Sequence, residues 1–221
     1  MIKSEDRLYR FSWYLVRGLL RLLIRLEVVG AEQVPLEGAL LVAPNHSSYL
    51  DPPVVGAACP RQLRYMAKAE LFRGGWFEKL IRRYGAFPVH RGTADLAAIR
   101  TALQYLKREE AVLIFPEGTR NGGRQLLPPT PGVALLARQS GAPVLPVGLI
   151  GTERIWGRGM KYPRLAKVKV IFGKPFTFCE VVGDLPEREA RDAFGWYLME
   201  RILELLQTHG ATTTFQRVAK L

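Results

Sequence analysis

Only two cysteines, Cys59 and Cys179, occur in the 221 residues, which argues against a redox or metal role for them. They lie far apart with no C-x-x-C spacing, and read as small hydrophobes of a reducing compartment. A G-x-S-x-G stretch is absent, so there is no serine elbow of the hydrolase type. No uninterrupted apolar run reaches the roughly 20 residues that a membrane-spanning helix needs. Charges near the amino terminus, with no small-residue cleavage pattern, argue against a secretory signal and for exposure to the cytosol. Zinc-finger spacing and RNP-like aromatic patterns are missing too, which weighs against nucleic acid as partner. Neither a metal nor an organic cofactor is expected. Acids are scarce beside bases, 20 against 32.

That imbalance gives a formal net charge of +12, and most of the basic residues are arginine. The planar guanidinium suits phosphate because it makes two parallel hydrogen bonds. An anionic membrane surface, a phosphorylated substrate and nucleic acid all remain compatible with charge alone. Residues 3–26 narrow the choice. On a helix, Lys3, Arg7, Arg10, Arg17, Arg21 and Arg25 fall within an arc of about 80°. Leu8, Phe11, Leu15, Leu19, Leu22 and Leu26 fill an adjacent arc, and Trp13 and Tyr14 add rings suited to a headgroup layer. Such a helix lies in the interface with its arginines on anionic headgroups, or else packs its leucines on the domain. The first alternative makes the protein peripheral or monotopic on the cytoplasmic face of the cell membrane. Removing residues 1–26 should then weaken membrane binding more than the fold.

The rest alternates short apolar runs with amphipathic stretches. Strands are expected at 39–42, 63–67, 86–89, 111–115, 144–149 and 167–172, and helices at 51–58, 70–83, 94–108, 131–140 and 186–208. Asp51-Pro52 has the form of an N-cap followed by proline in the first turn. Gly141 closes the helix before Pro143. The alternation implies a single α/β domain with a mainly parallel central sheet flanked by helices, preceded by the amphipathic basic helix. Residues 1–27 form the membrane-associating segment, 28–210 the domain, and 211–221 a loosely attached tail. Functional loops of such a sheet lie at the carboxyl ends of its strands.

Two segments occupy that position. In 45–51, Asn-His-Ser-Ser-Tyr-Leu-Asp, the imidazole of His46 can take a proton from an alcohol. Asp51 can fix its tautomer and stabilise the imidazolium. The same spacing also arises when a histidine caps a helix or fills a polar gap. Without a serine nucleophile, the substrate brings its own hydroxyl. Ser47 and Ser48 suit turn or helix-end amides. In 115–120, Phe-Pro-Glu-Gly-Thr-Arg, Gly118 permits close backbone approach and Arg120 can pair with phosphate. Glu117 can bond an acceptor hydroxyl or orient Arg120; a surface ion pair on a strand-end turn is the plainer alternative. Amides near the His46 or Gly118 turns are candidates for an oxyanion site. Arg91 follows strand 86–89 at a further candidate loop, and His90 reads as a surface residue.

Taken in order, Asn45-His46-x-x-x-x-Asp51, Gly85…Arg91, Phe115 to Arg120 and Val144-Leu145-Pro146-Val147 resemble the glycerolipid acyltransferases, most of all the bacterial branch that acts on lysophosphatidic acid. The resemblance covers about residues 28–175. It implies acyl transfer from acyl-CoA or acyl-carrier protein to the free sn-2 hydroxyl of 1-acyl-glycerol-3-phosphate, giving phosphatidic acid. It also implies His46 as base and Asp51 as its partner. By the same carry-over, Arg91, Glu117, Gly118, Thr119 and Arg120 hold the acceptor, and Pro146 shapes the acyl or donor site. The chain departs from the pattern at His90, Asn121 and Pro131-Gly132, which leaves the acceptor open to another lysolipid, an ornithine-type lysolipid or a glycolipid. A reading of another class is a non-catalytic membrane-surface or nucleic-acid-binding protein.

Overall fold

Residues 40–44 form an unbroken apolar run, which asks for cover on both faces of a sheet. In the computed structural model, which describes residues 7–90, 95–157 and 159–215, this run is the central strand β2 (Leu40–Pro44), buried along its whole length. Around it lie β1 (Glu27–Val29), β3 (Leu63–Lys68), β4 (Ala86–Val89), β5 (Ala111–Leu113), β6 (Val144–Ile150) and β7 (Lys169–Phe172). The order across the sheet is β1-β7-β6-β2-β5-β3-β4. Strands β6, β2, β5, β3 and β4 run parallel, β7 is antiparallel to β6, and β1 is parallel to β7. The single α/β domain with a mainly parallel sheet is therefore observed.

Alternation along the strands divides the core in two. Leu41, Ala43, Val112 and Ile114 point to the face covered by α4 (Leu96–Lys107), α5 (Pro131–Ser140) and α8 (Glu187–Thr208). Leu40, Val42, Ala111 and Leu113 point to the other, which α2 (Asp51–Ala58) covers with Val54, Val55 and Ala58. The register Leu40↔Ala111 and Val42↔Leu113 sets β2 beside β5. The segments that follow these strands, 45–51 and 115–120, thus emerge side by side.

Several elements differ from the sequence expectation. The helix expected at 70–83 is α3 (Gly75–Arg83), preceded by a 3₁₀ turn at Ala69–Leu71; Gly74 and Gly75 at φ 93° and 87° separate the two. Strand β1 and the short helices α6 (Thr152–Trp156) and α7 (Phe178–Val182) were not expected. Asp51 is the first residue of α2 with Leu50 in the cap position, so it is not the N-cap. Gly141 does close α5, at φ 66°. In the tail, residues 211–215 are attached rather than loose. Backbone bonds Leu126 N to Thr214 O and Thr214 N to Arg124 O hold them, and Phe215 packs on Trp196. Residues 216–221 lie outside the described residues.

The basic helix is α1 (Arg7–Ile24). Tyr9, Trp13 and Ile24 are buried against the domain, while Leu8, Phe11, Leu15, Leu19 and Leu22 are exposed, Leu22 at 79%. Apart from Leu26, buried in the core beyond the end of α1, the leucine stripe therefore does not pack on the domain; a different face does. This corrects the placing of Trp13 and Arg17 at the headgroups. Trp13 is 7% exposed, and its indole N–H donates to the Gly56 and Cys59 carbonyls at 2.9 and 3.1 Å. Arg17 donates to the Ala57 and Ala58 carbonyls at the end of α2 and stacks over Trp13. Cations there match the negative end of the helix dipole. Arg7, Arg10, Arg21 and Arg25 are exposed; Lys3 lies outside the described residues. No helix among the described residues is long and apolar enough to cross a membrane.

Candidate active site

The turn after β2 is pinned from three sides. Asn45 bridges to β6, accepting from Leu149 N at 2.7 Å and donating to Leu149 O at 3.1 Å. Ser48 Oγ donates to Trp156 O and accepts from Leu50 N, and Ser47 Oγ shares a hydrogen bond with Thr152 Oγ1. The turn thereby curls over the amino end of α2. Asp51, fully buried, places Oδ2 2.8 Å from His46 Nδ1, and the same oxygen accepts from the Ser47 and Ser48 amides at 2.7 and 2.8 Å. A carboxylate held by three donors keeps the ring in one tautomer and one orientation. The ring is stacked on Phe115 with centroids 3.8 Å apart.

The turn after β5 is tied to the first. Glu117, 4% exposed, accepts from the His46 amide at 2.8 Å, from Leu127 N at 2.8 Å and from Asn121 Nδ2 at 2.8 and 3.0 Å. Asn121 N returns a bond to His46 O at 2.7 Å. Burial pushes the Glu117 carboxyl up to about 7, against the pull of the Leu127 and His46 amides and Asn121. Both oxygens are thus engaged by the protein's own donors. Gly118 turns at φ 67° with its amide on Phe115 O, and a Cβ there would meet the Thr130 methyl at 2.9 Å. The amides of His46, Ser47, Ser48 and Gly118 are all committed internally. An oxyanion site in these turns would therefore draw on amides other than these four.

Arg120 lies with its guanidinium 3.5 Å over the Tyr49 ring, and Tyr49 in turn packs on Trp156. Its Nη1 is buried with no hydrogen-bond partner, an unmet donor suited to an anion. Thr119 beside it is exposed. Pro146 is buried in β6, opposite Ala43, and does not line the cavity described next. Arg91 lies outside the described residues. Sequence reasoning missed Tyr49, Phe115 and Trp156; the first two stand inside the singled-out segments, where an aromatic next to a polar motif was the available signal.

Phe115 has a second face. It borders a cavity of about 560 Å³ lined mostly by apolar side chains, among them Met66, Leu96, Ile99, Ile114 and Leu135. At its rim stands a second pair with the same five-residue spacing: His90 Nδ1 lies 2.9 Å from Asp95 Oδ2. Asp95 also caps α4 through Ala98 N, and the His90 and Ala98 amides hold its carboxyl down at about 2. The two pairs differ in burial. The His46 side chain is 5% exposed and that of His90 73%.

The acyltransferase family model matches residues 25–150. The 1-acyl-sn-glycerol-3-phosphate acyltransferase of Bacillus subtilis is 31% identical over 199 residues, covering 90% of this chain and 96% of that protein. A lyso-ornithine lipid O-acyltransferase of Pseudomonas aeruginosa is 33% identical over 62% of this chain and 52% of its own length. Among solved structures, the LPA acyltransferase PlsC of Thermotoga maritima superposes with a TM-score of 0.75 at 23% identity, over 98% of this chain and 86% of that one. That likeness speaks to the fold.

Proposed function

The chain belongs to the acyltransferase family, and on that premise we propose that it moves a fatty acyl group from a thioester donor to the free sn-2 hydroxyl of 1-acyl-glycerol-3-phosphate, giving phosphatidic acid. The observation that carries the reading is the His46–Asp51 pair, buried at the end of β2 and stacked on a phenylalanine that also borders an apolar cavity. With Nδ1–H donated to Asp51, the lone pair of Nε2 takes the proton of the acceptor hydroxyl. The oxygen attacks the thioester carbonyl, the carbon–sulfur bond breaks, and the imidazolium returns its proton to the leaving thiolate. Atoms and charge balance without a covalent acyl-enzyme.

Arg120, with its unmet donor over Tyr49, takes the acceptor phosphate together with Arg91, and Gly118 and Thr119 shape the turn against the glycerol. Glu117 serves the same site by joining its two turns. The cavity beside Phe115 receives an acyl chain; its volume lies within the usual range of small-molecule sites. The donor is acyl-CoA or acyl-carrier protein, both acidic partners for a chain of net charge +12. Residues 1–27 form the membrane-associating segment and 28–210 the catalytic domain, although β1 straddles that boundary. The exposed leucine stripe of α1 supports peripheral or monotopic attachment to an anionic membrane; the cytoplasmic face is the side we propose.

The Pseudomonas relative favours a second reading, a lyso-ornithine lipid as acceptor. An acceptor panel with one labelled acyl donor separates the two. Preference for lysophosphatidic acid is expected. Equal or better use of an acceptor without phosphate overturns that choice, and thiol release from neither removes the reading as an enzyme.

A further inference from the structure

Helix α3 is anomalous for its place in the chain. It is the crossover between the parallel strands β3 and β4, and such a helix ordinarily buries its apolar face on the sheet. None of its residues is buried. Its sequence is nonetheless two-faced. At about 100° per residue, Trp76, Leu80, Phe77 and Ile81 share an arc of about 140°, and Glu78, Arg82 and Lys79 occupy the opposite side. Trp76 is 76% exposed, and Phe77 and Leu80 are each 43% exposed.

Topology fixes where this face sits. α3 follows the carboxyl end of β3, the side of the sheet that holds His46 and the apolar cavity, and returns toward the start of β4. At its far end the C-cap residue Tyr84 packs on Tyr9 of α1, ring centroids 5.7 Å apart. The unpartnered face therefore lies beside the membrane helix α1, on the side of the sheet away from α4. Cations border it: Arg73, Lys79 and Arg83 are all exposed. A second copy of the chain fits poorly, because a self-paired face brings these like charges together.

We propose that α3 is a second membrane-contact helix, laying Trp76, Phe77 and Leu80 into the interfacial layer of an anionic bilayer beside α1. The proposal rests on the reading of a lipid acceptor given above. An exposed tryptophan beside cations is the chemistry of the headgroup region, and the cations supply the attraction that apolar area alone does not.

The test uses the full chain and phosphatidylglycerol vesicles carrying brominated acyl chains. Trp76 is the exposed one among four tryptophans, so vesicle-bound protein should show quenching that Trp76→Phe removes. The triple variant Trp76→Ala/Phe77→Ser/Leu80→Ser should bind these vesicles at least tenfold more weakly while retaining its circular dichroism and its turnover of a water-soluble short-chain lysophosphatidate. Quenching that survives Trp76→Phe, or wild-type vesicle affinity in the triple variant, overturns the proposal. So does a triple variant whose only change is in sedimentation, which assigns the face to a second copy. Absent turnover of the soluble acceptor by the wild-type chain counts against the acyl-transfer reading instead, and leaves the quenching result to judge α3.

Discussion

The carboxylate of Glu117 accepts the backbone amide of His46 at 2.8 Å, across 71 positions of chain. This one bond joins the turn after β2 to the turn after β5, and so couples the proposed base to the segment proposed to hold the acceptor. The coupling is sensitive to charge, because every hydrogen-bond partner of the carboxylate is a donor while burial and the nearby Asp51 oppose its ionisation.

A pH dependence of stability follows. Between the ordinary value of 4.5 and about 7, the folded chain keeps a proton on Glu117 that the unfolded chain has lost. The contribution is full below pH 4.5 and is lost as pH rises through about 7, amounting to about 3 kcal/mol. Denaturant melts at pH 5 and pH 8 should show this decline in the wild type and a flatter response in Glu117→Gln. An unchanged slope in the variant would assign the decline to other groups.

Asp51→Asn replaces the oxygen that three donors share. The carbonyl oxygen of asparagine can still face those donors, but the imidazolium loses its counter-charge, and kcat should fall by about 10²- to 10⁴-fold with KM little changed. Steady-state kinetics with a chromogenic thiol reagent reads both constants.

Arg120→Lys keeps the charge and discards the planar fork that lies on Tyr49. The KM for lysophosphatidic acid should rise about ten- to a hundredfold, with a smaller effect on kcat. Recovery of the wild-type KM by lysine would show that a point charge suffices.

On α1, Leu15→Ser with Leu19→Ser should lower affinity for anionic vesicles by about tenfold per leucine and leave the melting temperature unchanged, since both side chains are exposed. Trp13→Ala should do the reverse, costing about 3 kcal/mol of stability. Deleting residues 1–26 removes both functions at once, because Ile24 and Leu26 belong to the core of the domain.

The sequence made the sheet legible where runs were long. β2 and β6 bury nearly every residue and stood out as apolar stretches, whereas β1 has three half-buried residues and no periodicity to detect. Spacing found the His46–Asp51 pair but does not separate it from His90–Asp95, which has the same spacing and nearly the same geometry. Burial distinguishes them, and burial comes from distant chain: Phe115, Thr152 and Leu149. For the same reason the internal bonds of Glu117 were not legible. Two of its partners, His46 N and Leu127 N, are backbone groups that no motif reports.

Whether His46 is the base is read from thiol release from an acyl thioester in the presence of lysophosphatidic acid, measured for wild type, His46→Ala and His90→Ala. His46→Ala should lose at least a hundredfold in kcat while keeping its circular dichroism and vesicle binding, and His90→Ala should stay within a few-fold of wild type. More than a tenth of wild-type turnover in His46→Ala, or loss of turnover in His90→Ala instead, would contradict the account.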